Sequence, residues 1–238
     1  GVAFDWRADH LPQSERQHIR RTMQHRAPAF DDGIDLVAPQ RPNGDAHTAV
    51  AGGSNALILV PIILAFGFMF CSHKLRGESL RDIGFRFDNF GKAARLLILP
   101  TVVAGLILIG IGYLNGSIDF FRWRGGGLLL GMPLLGILWG LVQQYALQGF
   151  INRRAQIVFG SGFLSILLVS LLFGAFHLPN PALTVATFLG GLVWATVYQR
   201  APNLFALAIS HGLMTWILIS TIPGNLLYGL RVGYKFIG

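Results

Sequence analysis

Two histidines, His177 and His211, lie within long apolar stretches of this chain. Gln143, Gln144, Gln148, Asn180 and Thr215 accompany them in the flanking segments. Ionisable side chains at membrane depth are costly and mark functional sites. A neutral imidazole accepts a proton near neutral pH, its ordinary pKa being about 6.5. The chemistry is limited by what is missing. The last of the 11 acidic residues is Asp119, and from Phe120 to Gly238 there is no Asp or Glu. Any carboxylate base must come from the first half of the chain. An amide cannot substitute, because it has no useful basicity. A positioned general base is worth about 10² to 10⁴ in rate. Two histidines without a carboxylate fall short of the three protein ligands typical of catalytic zinc. The single cysteine, Cys71, excludes a disulfide framework or a Cys-clustered zinc site. The expectation is therefore no metal and no cofactor.

These residues must be positioned by membrane-spanning helices. Of 238 residues, 53% are hydrophobic and 13% charged, and the mean hydropathy is +0.53. Soluble domains carry roughly 25% charged residues, so the composition argues against a cytosolic enzyme. The net charge of +8 is spread between apolar segments rather than gathered on one patch. That is the pattern of charges flanking spans, and nucleic acid is not an expected partner. The fold class expected is all-α, a polytopic membrane helix bundle of about six or more transmembrane helices. Spans are predicted at about 55–71, 93–114, 126–152, 160–178, 182–199 and 203–222, most near the roughly 20 residues that cross a bilayer.

The organisation follows. Residues 1–53 read as a polar extramembrane tail with too few apolar residues for a core. Residues 54–125 hold the first two spans and a basic loop, residues 126–222 a core carrying the polar motifs, and residues 223–238 a C-terminal tail. Trp123, between Arg122 and Arg124, reads as an interface anchor, as do Tyr228 and Tyr234. Lys74, Arg76, Arg81, Arg86 and Lys92 lie in one loop, Arg153 and Arg154 in another, and Arg200 in a third. The positive-inside rule makes these loops cytoplasmic and the N-terminal tail external.

Helix geometry suggests how the polar residues meet. Gln143 and His177 are equidistant from Gly160, each about 25 Å from it along a helix. They are expected to face one another across an antiparallel hairpin. Gln148 shares a face with Gln144, and Thr215 with His211. A polar cluster built from three helices is the expectation.

The run Gln143-Gln144-Tyr-Ala-Leu-Gln148-Gly149-Phe150, the run Phe173-Gly-Ala-Phe-His177-Leu-Pro-Asn180-Pro181 and the run Ser210-His211-Gly-Leu-Met-Thr215 resemble three motifs in order. They are those of the CAAX protease and bacteriocin-processing family, also called Abi, which are intramembrane endopeptidases. The family motifs are Glu-Glu-x-x-x-Arg, Phe-x-x-x-His and His-x-x-x-Asn/Asp. The resemblance covers about 79–222. It implies a CAAX-protease-like helical core and a site at Gln143, Gln144, Gln148, His177, His211 and Thr215, with Phe173 and Asn180 supporting. In the family the first glutamate activates water, and the histidines and Asn hold the water and the oxyanion. Here both glutamates are Gln, the arginine is Gln148, and the third motif ends in Thr215.

Losing Glu and Arg together removes both charges of a buried pair, which can be neutral where removing one is not. The expectation is an integral membrane protein with a degenerate site, acting as an accessory, scaffold or binding subunit of a membrane complex. Its expected partners are the lipid bilayer, other membrane subunits and a peptide segment in the polar cavity. The expected location is the bacterial inner membrane. Two alternatives stand beside it. One is an active peptidase cleaving prenylated or leader peptides. The other is a pigment- or cofactor-binding subunit with His177 or His211 as axial ligand.

Overall fold

The computed structural model describes residues 44–122 and 134–233, with side chains from 59 onward. The chain divides into two compact units, Gly1–Gly53 and Ser54–Gly238. All functional geometry below belongs to the second. The expected anchors Trp123 and Tyr234, and the tail before Gly44, lie outside the described residues.

The described residues form helices and turns, without strands. In order they are α1 (Gly44–Leu75), α2 (Phe90–Leu114), α3 (Leu134–Gln144), a π-helical segment (Tyr145–Asn152), α4 (Arg153–Phe159), α5 (Phe163–Ala175), α6 (Pro181–Arg200), α7 (Leu204–Thr221) and α8 (Gly224–Leu227). Four stretches are long and apolar enough to cross a membrane: Phe90–Leu114, Leu134–Phe159, Pro181–Arg200 and Leu204–Thr221. Two shorter apolar helices join them, Leu59–Leu75 and Phe163–Ala175. Each of the six predicted segments thus contains a helix where it is described, the fourth being helical only over Phe163–Ala175. Large aliphatic side chains cover the outside, Leu99 at 71% and Leu64 at 67% exposure among them. A surface of that kind has lipid as its natural solvent.

Two boundaries differ from expectation. The first helix begins at Gly44 rather than near 55. The third span runs to Phe159, so Arg153 and Arg154 sit on a helix rather than in a loop. Both arginines bond Glu78, and that pairing keeps their charge satisfied at the end of the span. Beyond it Gly160 (φ 74°) and Gly162 (φ 135°) adopt backbone conformations that a Cβ resists. The chain reverses there and enters α5.

The helices that carry the motifs pair through small residues, as helices in lipid do. A Cβ added at Gly212 of α7 would lie 2.6 Å from the Ile137 nitrogen of α3, and one at Gly140 3.2 Å from the Ala208 oxygen. α5 and α6 meet likewise, a Cβ on Gly191 falling 3.0 Å from Ser170 Cα. Between these pairs lies a core of Phe173, Val169, Tyr198, Leu204 and Leu207, all nearly inaccessible.

Polar caps fix the helix starts. Asn203 Oδ1 accepts from Ala206 N (2.9 Å), and its amide donates to Asn89 Oδ1 (2.8 Å). Asn89 in turn donates to the Pro202 carbonyl (3.0 Å). The beginnings of α2 and α7 are thereby tied side by side. Arg122 closes the opposite end, donating to the Ile219 and Ile222 carbonyls that α7 leaves free.

Candidate functional site

The close approach of α3 and α7 decides which polar groups meet. Gly136, Gly140 and Gln144 follow one another at four-residue spacing, on one helix face. All three are buried. The glycines let α7 come near enough for Gln144 to reach His211. Gln144 Nε2 lies 3.1 Å from His211 Nδ1, and both side chains are buried. An amide nitrogen donates, so Nδ1 accepts and the imidazole carries its proton on Nε2.

His177 has the opposite arrangement. It stands in the turn after α5, and its Nδ1 lies 2.8 Å from the Phe173 carbonyl. A carbonyl only accepts, so Nδ1 holds the proton and Nε2 presents a lone pair. The Phe173 ring packs against both histidines, with centroids 5.1 Å from His177 and 5.8 Å from His211. The site therefore offers one imidazole acceptor and one imidazole donor, both in contact with a buried phenyl ring.

The hairpin expectation is corrected here. The hydrogen bond joins Gln144 to His211, and no hydrogen bond joins Gln143 to His177 among the described residues. Gln143 is half-buried. The equal-depth argument assumed two regular α-helices meeting at Gly160. Instead α5 stops at Ala175, and residues Tyr145–Asn152 are π-helical. The i→i+5 bonding of that segment turns the side chains beyond Gln144 relative to a regular helix.

Gln148 stays buried but points into a second network. Its Oε1 accepts from Asn152 Nδ2 (2.7 Å). Asn152 Oδ1 accepts from Gln156 (3.1 Å) and Gln199 (3.0 Å), and Gln199 also reaches Ser165 (2.8 Å). The series Gln144, Gln148, Asn152, Gln156 is a four-residue repeat that extends the amide stripe toward the Ser161 turn. Continuing that spacing past Gln148 would have found Asn152 in the sequence. Two amide atoms, Gln144 Oε1 and Gln148 Nε2, are buried without a protein partner.

Asn180, expected to support the site, stands at the start of α6. It caps α6, its Oδ1 accepting from Leu183 N (3.2 Å). Its amide donates to the Leu227 and Arg231 carbonyls at 2.9 and 3.1 Å. Its side-chain hydrogen bonds thus fix the C-terminal tail to the start of α6, while its backbone N–H donates to the His177 carbonyl (3.0 Å). Pro181 at the first helical position completes that cap.

Thr215 lies one turn beyond His211 and lines a cavity of about 290 Å³ between α2, α6 and α7. His211, Thr101, Thr187 and Ser210 supply the rest of its polar lining, and Leu108, Val193 and Met214 much of the apolar remainder. Sequence reasoning missed Trp194. Its indole stacks on the His211 ring (4.5 Å, 8° between planes), and its Nε1 donates to Ser210 Oγ (3.1 Å). His211 is thus held by stacking on one side and by the Gln144 amide on its edge. Nothing in the spacing of Trp194 signals that contact.

The carboxylate that pairs with the third span is Glu78, and it is occupied. It accepts from Arg154 (2.7 and 2.9 Å), Arg153 (3.0 Å) and His73 (2.6 Å). These hydrogen bonds, that of Arg154 first, together with the Arg153 charge hold its carboxyl well below the usual range. Arg153 is nine residues past Gln144, roughly 13 Å along the helix. Among the described residues no group of three His, Cys, Asp or Glu could hold a metal ion.

Fold and site together define a helical integral membrane protein with a neutral amide–imidazole cluster among its spans. Residues 125–217 match the family model of the Rce1-like type II CAAX prenyl endopeptidases. The segment carrying all three motifs is thus similar to that family, in agreement with the motif resemblance. Comparisons with curated proteins and with solved structures give no match.

Proposed function

We propose that this chain is a non-catalytic relative of the CAAX-type membrane endopeptidases, binding an apolar segment of a membrane partner rather than cutting it. The observation that carries this reading is the Gln144–His211 hydrogen bond. Where the family motif has a carboxylate, an amide donates to the imidazole and cannot take a proton from water. Charge bookkeeping supports it, since the motif glutamates and arginine are replaced together by neutral amides. The apolar cavity beside His211, floored by hydroxyls, suits a hydrophobic segment with one or two polar groups.

One observation favours a second reading, a slow peptidase. His177 Nε2 is free to accept a proton, and His211 Nε2 carries one to donate. The test is peptide release from prenylated and leader-type substrates. The expected outcome is no turnover by the wild type, none by Gln143→Glu, and recovery at best in Gln143→Glu/Gln148→Arg. Wild-type turnover abolished by His177→Ala would overturn the proposal in favour of the peptidase.

A further inference from the structure

One end of the bundle gathers charge. Lys74 lies in the last turn of α1 and Arg76 just follows it, Lys92 and Arg95 open α2, Arg153 and Arg154 sit on α4, and Arg200 ends α6. With Arg81 and Arg86 of the connecting loop there are nine cations here against three carboxylates, Glu78, Asp82 and Asp88. Those carboxylates are already engaged: Glu78 by Arg153 and Arg154, Asp88 by Arg81 and Arg86, Asp82 by the Ser79 hydroxyl and amide. Lys74, Arg76, Lys92, Arg95 and Arg200 are exposed, and none forms a salt bridge within the described residues. The other end holds Asp119, Arg122 and Arg231 in the described residues, and Arg122 is consumed by carbonyls.

The same cationic loop carries exposed apolar side chains, Leu75 at 89%, Leu80 at 67% and Phe87 at 74%. Apolar groups interleaved with cations suit a boundary between acyl chains and headgroups. Phe87 stacks on Phe205 (4.3 Å). That pair opens a groove of about 360 Å³ continued by Phe90, Leu141 and Ile209, whose lining is wholly apolar. The groove thus begins at the cationic end and runs along α3 and α7.

We propose that this groove seats an acyl chain of an anionic phospholipid, and that the exposed cations at its end, Lys92 and Arg95 foremost, hold the headgroup phosphate. An apolar groove alone would take any lipid. Lys92 and Arg95, two and five residues past the groove-lining Phe90, select a negative headgroup, each exposed Lys or Arg near a surface being worth about fivefold in binding. A nucleic acid or an acidic soluble protein would meet the charge but leave Phe87 and the groove uncovered.

Native mass spectrometry on the full chain tests this, after equilibration with equal amounts of phosphatidylglycerol and phosphatidylcholine of identical chains. The wild type is expected to retain phosphatidylglycerol preferentially. Lys92→Gln/Arg95→Gln should reduce that preference by about fivefold or more while keeping helicity and monodispersity. Leu141→Trp, which fills the groove, should reduce the retention of both lipids. Arg231→Gln at the far end should change neither. Equal retention by the wild type, an unchanged preference in the double variant, or an equal loss in Arg231→Gln would overturn the proposal.

Discussion

The membrane-interior cluster and the Glu78 cluster solve the problem of burying polar groups in opposite ways. Around Gln144, Gln148, His177 and His211 no carboxylate or guanidinium takes part, and the bonds are amide to imidazole, amide to amide and imidazole to backbone carbonyl. Around Glu78 the side chains are ionised: a carboxylate 10% exposed faces two guanidinium groups 21% and 26% exposed. The difference follows depth. The Arg pair lies at the end of its span, where snorkelling keeps part of each charge in water. Ten residues earlier on the same helical stretch there is no such escape, and neutral amides replace charge. Within one span the chain keeps its ion pairs where water is near and dispenses with them where it is not.

The comparison breaks most visibly at Glu78. Glu78→Ala leaves Arg153 and Arg154 without their carboxylate, and the expected loss is about 3 kcal/mol, the low end for a stranded buried charge because both arginines touch solvent. Thermal unfolding in detergent measures it. The acid limb of the same pair is also predictable. The cations depress the Glu78 carboxyl, so its contribution is complete above the unfolded value of about pH 4.3 and is lost as pH falls toward the lower folded value. Glu78→Gln should flatten that part of the stability profile.

Next in size is Gly212→Ala. The new methyl would fall 2.6 Å from backbone, which cannot step aside as a side chain would. An overpacking cost of about 2 to 3 kcal/mol is expected. Gly224→Ala meets nothing within 4 Å and is the control. An equal effect of the two on unfolding would mean that α3 and α7 are not pinned as described.

Gln144→Ala removes the amide that holds His211 and should cost about 2 kcal/mol, from an unpaired imidazole nitrogen and a small void. The comparison is sharpened by Gln144→Leu, which fills the void but also leaves Nδ1 unpaired. If Leu restores full stability, the hydrogen bond contributes little and the cluster is held by Trp194 stacking alone.

The smallest effect expected is at Asn180. Asn180→Ala removes the α6 cap and two bonds to the tail, at about 1 to 2 kcal/mol. Because those bonds bind the tail and not the histidines, limited proteolysis after Leu227 should accelerate while the His177 environment, read by its imidazole NMR shifts, stays put.

Much of this architecture was legible beforehand. Apolar runs near the bilayer's length are sufficient to specify helices, because lipid leaves the backbone no other way to satisfy its hydrogen bonds. The span positions, the polar residues they carry and the absence of any carboxylate after Asp119 follow from the chain alone. So does the order of the three motifs, and with it the family likeness of residues 125–217. Pairwise meetings were not legible. That Gln144 rather than Gln143 reaches an imidazole, and that the imidazole is His211, depends on the α3–α7 approach through Gly140 and Gly212 and on the π-helical turn after Gln144. Glu78 meets Arg153 and Arg154 across 75 residues of chain, and Trp194 stacks on His211 from another helix. Periodicity fixes which residues share a face of one helix. Which face meets which neighbour, and at what depth, is set by close packing between helices, and only the tertiary structure decides that.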